Sequence, residues 1–171
     1  MLSILTLKAQ ELIQGSYEAL TDTRVVSVEL DISHVDIGGQ TLQDFIEYKT
    51  FEEGEGYSKE FDKDIREILG DFIDEFNDTN APIMLTVASS PKVILTIRVN
   101  HINRKGNEVS CQYIFSDRVT DTPLATIAMV SKNGRVGSFT NLMGDAFERA
   151  GKDFGKYSKK MIKAELKKKK K

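Results

Sequence analysis

Phe139, Leu142, Met143, Ala146, Phe147, Ala150, Phe154, Tyr157 and Met161 recur at helical spacing for about six turns, and this stripe constrains the fold more than any other feature of the sequence. A helix that long, apolar along one face only, needs an apolar surface of similar length to lie on. Ser138 stands where an N-cap hydroxyl is wanted. Past Met161 the stripe gives way to lysines, so the reading places the helical core between Phe139 and about Met161.

A second stripe runs from Ser58 to Asn77. Phe61, Ile65, Ile68, Leu69, Phe72, Ile73 and Phe76 fall on one face, and Asp62, Asp64, Glu67, Asp71, Asp74 and Glu75 occupy the others. Ser58 is the expected N-cap, and the segment from Asn77 to Pro82 ends the helix. A shorter helix capped by Thr41 is expected through Tyr48, with Leu42, Phe45 and Ile46 on one side.

The surface for these helices to cover is written in period two. Val26, Val28, Leu30 and Ile32 alternate with polar residues. Ile83 to Ala88 reads as a short strand. Val93, Leu95, Ile97 and Val99 alternate along another, Arg104-Lys105-Gly106-Asn107 turns the chain, and Val109, Cys111, Tyr113 and Phe115 follow. A further turn near Thr120 to Pro123 leads to a strand over Leu124 to Val130, whose buried face the composition does not identify. The order β-α-α-β-β-β-β-α predicts an α+β fold, an antiparallel sheet of four to five strands with two long helices on one face. The expected division is an N-terminal apolar arm or remnant signal segment over 1–22, one domain over 23–163 and a lysine-rich tail over 164–171.

With 40% apolar and 29% charged residues and only three prolines, the 171-residue chain has the composition of a globular domain, not a disordered one. Its net charge of −2 conceals a polarity. From Gly151 onward ten lysines stand against Asp153 and Glu165, a balance of +8, which leaves −10 on residues 1–150. The body should repel nucleic acid and anionic membranes, and the tail should attract both. Cys111 is the only cysteine, which excludes an intramolecular disulfide. No apolar run reaches the ~20 residues of a membrane-spanning helix. Leu2 to Gln10 is a short apolar stretch that reads either as the end of a signal peptide without its basic n-region or as a first strand or arm.

Chemistry-bearing residues are few. Asp31, His34 and Asp36 lie close enough in sequence to suggest metal ligands, but the alternation breaks at Ser33-His34 and the residues need not converge. His101 and Cys111 share core-facing parity across a hairpin, which brings a Cys-His pair within reach; a buried structural cysteine is the simpler reading. The carboxylates of the Ser58–Asn77 helix cover its solvent side without singling out a pair. Gly134-Arg135-Val136-Gly137-Ser138 precedes a helix and offers backbone N–H groups to an anion, yet carries no nucleotide-binding motif. Gly151 and Gly155 should let the last helix approach the sheet or another subunit. No catalytic residue, metal ligand or cofactor site is assigned. Lys167, Lys168, Lys169, Lys170 and Lys171 exceed what helix capping needs and are the expected interaction site, for nucleic acid, an acidic partner or an anionic surface.

The stretch Thr23 to Phe76, centred on Val35-Asp36-Ile37-Gly38-Gly39-Gln40-Thr41-Leu42, together with the meander Ile94 to Val130 and the helix Ser138 to Lys160, resembles an uncharacterised family of small secreted or envelope proteins from Bacteroides-type bacteria. With the apolar N-terminal stretch and the lack of a catalytic motif, the resemblance leads to the expectation of a non-enzymatic binding or assembly module of the cell envelope or periplasm; the expected partners are proteins, with a homo-oligomer or larger assembly among them. The alternative expectation is a structural component of a larger particle, a phage or secretion assembly in the cytoplasm or virion, with the lysine tail on nucleic acid or an acidic neighbour.

Overall fold

The computed structural model describes residues 10–170. Its strands are β1 (Gln10–Gly15), β2 (Val25–Asp31), β3 (Asp36–Ile37), β4 (Gln40–Thr41), β5 (Met84–Thr86), β6 (Val93–Ile102), β7 (Glu108–Asp117) and β8 (Pro123–Lys132). Its helices are α1 (Leu42–Glu53), α2 (Tyr57–Asp78) and α3 (Phe139–Lys168). The eight strands form one mixed sheet in the order β1-β8-β7-β6-β2-β5, with β3 paired to the end of β6 and β4 to β3.

This corrects the expected four to five antiparallel strands. The meander β6-β7-β8 and the pairing of β1 with β8 are antiparallel. By contrast, β2 runs parallel to both β5 and β6, and β3 runs parallel to β6. The reason lies in α2: a helix between two strands returns the chain to the end it left, which makes the next strand parallel. Consecutive in sequence, β2 and β3 lie along the same edge of β6 as one strand interrupted at Ile32–Val35.

Alternation decides which face of the sheet is buried. Leu95, Ile97 and Val99 of β6, Cys111, Tyr113 and Phe115 of β7, and Ala125, Ile127 and Met129 of β8 all point into the core. Helix α3 packs on β7 and β8, and α2 packs on β5 and against α3. The junction is aromatic: Tyr113 stacks on Phe154 with ring centroids 4.0 Å apart, and Phe72 stacks on both. The third helix, α1, sits against β3, β4 and α2 at one end of the sheet. Its N-cap is Thr41, whose hydroxyl accepts from the Asp44 N–H as expected. For α2 the N-cap is Gly56 and not Ser58, with no side-chain bond.

Both expected boundaries move outward. Residues 10–22 belong to the fold: β1 pairs with β8, and Tyr17 and Leu20 are fully buried. They pack beneath the far end of α3, where Tyr17 and Ser158 share a buried hydrogen bond of 3.2 Å. The buried side of α3 continues past Met161 to Ile162, which is fully buried, and Leu166, which is partly so. The part of the apolar segment before Gln10 and the last residue, Lys171, lie outside the described residues. Among the described residues, no helix is long and apolar enough to cross a membrane.

Candidate functional site

Asp31, His34 and Asp36 do not converge. The Asp31 carboxylate accepts from the Ser33 backbone and hydroxyl and from the Arg98 guanidinium, which holds its pKa below the usual carboxylate value, the Ser33 bonds contributing most. His34 is exposed. Asp36 is committed to the turn that follows it: one oxygen accepts from Gly39 N–H at 2.9 Å and the other lies 2.6 Å from His101 Nδ1. Gly38, at a φ of 59°, approaches the Arg104 backbone closely, which explains the small residue in the Asp36-Ile37-Gly38-Gly39 turn. Among the described residues, no group of three or more His, Cys, Asp or Glu side chains is arranged to hold a metal ion.

His101 is not on the core face. The register between β6 and β7 shifts between Val99 and His101, so Val99 faces Cys111 while His101 faces Ser110. The bulge at Asn100 reverses the alternation, sending His101 outward to Asp36 and Ile102 into the core. Cys111 therefore has no histidine beside it in the ladder, and burial pushes its thiol up to about 12. It is not a nucleophile at neutral pH.

At the same end of the sheet lies an open-sided cleft of about 480 Å³. Phe45, Phe139 and Ile37 contribute its apolar wall, and Tyr48, Lys49 and Arg104 its rim. On the rim, Lys49 pairs with Glu52 and Glu53 and the Tyr48 hydroxyl donates to Glu52, while Arg104 makes no ion pair among the described residues. The Gly134–Ser138 loop runs past it to α3. There Ser138 caps the helix by accepting from the Asn141 N–H at 3.3 Å, so the loop is explained by capping.

The charged features lie on the helix layer. A groove between α2 and α3 is lined by Asp64, Glu67, Asp145 and Glu148. Burial, followed by repulsion from Asp71, Asp145 and Glu75, raises the Glu148 pKa. The acidic face of α2 is visible in the sequence. Asp145 and Glu148 are not, because their role in the groove depends on how α3 lies against α2. Gly151 and Gly155 set that approach, facing α2 and neither the sheet nor another subunit.

The expected lysine site is largely helical. Lys167 and Lys168 form the last turn of α3, and Lys168 pairs with Glu165 at 2.8 Å. Lys169 donates to Thr21 and Asp22, returning to the N-terminal part of the domain. Lys170 is exposed, and Lys171 lies outside the described residues. Upstream, Lys159 donates to the Thr79 carbonyl at the end of α2. Lys152, Lys156, Lys160, Lys163 and Lys167 remain as one exposed row along α3.

No family model matches the chain, and no curated protein matches it. Among solved structures, the PelC dodecamer from Paraburkholderia phytofirmans is similar at a TM-score of 0.42 and 9% identity, over 85% of this chain and 97% of that chain. A point variant of the same dodecamer gives 0.41 and 8% over the same shares. Likeness of this degree carries nothing about ligand, partner or assembly to this chain.

Proposed function

We propose that this chain is a non-enzymatic binding or assembly module of the bacterial cell envelope. The observation that carries the reading is the charge-segregated helix layer, an acidic α2–α3 groove at one end and a lysine row toward the other. Charges held in rows on rigid helices present a fixed pattern to a partner, and such patterns govern encounter rate and partner choice. The Asp36–His101 pair and the buried Cys111 have structural duties, which directs attention to the surface. The envelope part rests on the apolar stretch near the N-terminus and on the resemblance of residues 23–76 to secreted and envelope proteins. It is tested by sequencing the N-terminus of the mature protein from cells and fractionating the envelope. A form that begins at Met1 and stays in the cytoplasmic fraction removes that part.

A second reading is favoured by the lysine end itself: a structural component of a larger particle, with Lys167 to Lys171 meeting nucleic acid or an acidic neighbour. Deleting those five residues leaves Ile162 and Leu166 in place, so the fold should survive. This reading expects salt-sensitive binding that the deletion abolishes. Binding unaffected by the deletion counts against it.

A further inference from the structure

The solvent faces of the two outer helices carry opposite charge in matching rows. On α2, Glu60, Asp64, Glu67, Asp71, Asp74 and Asp78 follow one another every three or four residues. On α3, Lys152, Lys156, Lys160, Lys163 and Lys167 do the same. Each row therefore holds to one side of its helix for four to five turns. Among the described residues the five lysines make no ion pair, and the only acidic member that does is Glu67, with Lys63 of its own helix.

The helices run parallel, since Gly151 packs on Phe72 and Gly155 on Phe76. Taking those contacts as level, the lysine row is displaced from the acidic row by about 15–20 Å along the shared axis at ~1.5 Å per residue. The rows overlap only at one end, where Lys152 lies beside Glu75 and Glu148; the later lysines extend beyond the acidic row of their own molecule. The carboxylates that crowd Glu148 at the groove also gain from an added positive charge.

We infer that a second copy of this chain covers this face, the lysine row of one copy lying along the acidic row of the next. The inference rests on the reading of the chain as an assembly module and names its partner. The two rows have similar length and opposite sign, and their stagger leaves each copy with one unmatched row at either end. A contact between two different patches closes into a reciprocal pair or ring, or continues as a filament.

Sedimentation of the full chain tests it. Wild-type protein should associate at about 0.05 M salt and weaken about ten-fold or more at about 0.5 M, as expected for exposed charges under screening. The triple variant Lys156→Glu/Lys160→Glu/Lys163→Glu and the triple variant Glu67→Lys/Asp71→Lys/Asp74→Lys should each be monomeric alone. Mixed in equal amounts they should associate, because each supplies the charge the other has lost. Circular dichroism establishes that both variants keep their helices; if either unfolds, neutral glutamine replacements at the same exposed positions repeat the comparison. A wild-type chain that is monomeric at low salt, or a mixture that does not associate, overturns the inference. If the wild type is monomeric yet a purified acidic or basic partner binds one row, self-association falls and the module reading stands.

Discussion

Two glycines determine how α2 and α3 meet. A Cβ at Gly151 collides with the Phe72 carbonyl, and one at Gly155 comes within 2.6 Å of Thr79 Oγ1 and 2.9 Å of Phe76 O. The obstacle at Gly151 is backbone, which cannot swing aside as a flexible side chain does. Gly144, on the same helix, has open space where its Cβ would be. The two positions should respond in opposite directions. Gly151→Ala should destabilise by about 1–3 kcal/mol through overpacking. Gly144→Ala should stabilise by roughly 0.5–1 kcal/mol, because alanine loses less conformational freedom in a helix. Thermal melting checks both, with a shift of about 2–4 °C for each kcal/mol in a chain of this size. Equal effects at the two positions would show that helix propensity outweighs the close approach.

At the scale of elements, the bulge at Asn100 sets what the end of β6 presents. Deleting Asn100 should leave a regular ladder in which Val99 and Ile102 still face the core and His101 still faces outward, because Asn100 is the single extra residue between the pairs Val99–Cys111 and His101–Ser110. The 2.6 Å contact of His101 with Asp36 and the pairing of β3 with His101 and Ile102 should then survive. The deletion should therefore lower the urea midpoint much less than Ile102→Ala, which empties a buried core position. The same residue shows where sequence reading stops. Val93 to Val99 and Val109 to Phe115 alternate plainly, and their buried faces are legible as written. Nothing in Val99-Asn100-His101-Ile102 marks the extra residue, because a bulge is defined by its partner strand. Strand direction was hidden for a similar reason: β2 is identifiable by alternation, but its parallel neighbours are fixed by the path through α2. The stripes of α2 and α3 were legible from spacing. The groove they enclose was not, since Asp145 and Glu148 acquire their acidic neighbours only when the helices dock.

For the whole molecule, the buried ionisable groups favour the neutral form, and this sets its response to alkali. Burial pushes the Cys111 thiol up to about 12 and, with a smaller contribution from Glu53, the Tyr57 hydroxyl up to about 12. Tyr17 and Tyr113 are raised further, again chiefly by burial. In the unfolded chain the thiol ionises near 9.0 and the tyrosines near 10.0. Between those values and the higher folded ones, the folded state holds more protons than the unfolded state, so stability falls as pH rises. The contribution is fully present below pH 9.0 and is lost as pH climbs toward about 12. The urea midpoint of the wild type should begin to drop near pH 9.0, where the thiol of the unfolded chain first ionises. In Cys111→Ala the drop should begin later, near pH 10.0, because only the tyrosines remain to drive it. The comparison is of the pH at which the fall starts, so the small void left by the lost sulfur does not enter it. Tyr17 and Tyr113 lie on the two sides of Phe115 and Phe154 and cannot be reached by water while α3 is docked, so their tyrosinate absorbance should appear together with unfolding and not before it. Tyrosinate signal from all five tyrosines in a chain that keeps its helical circular dichroism would show that the core opens locally, and would remove this account of the alkaline limit.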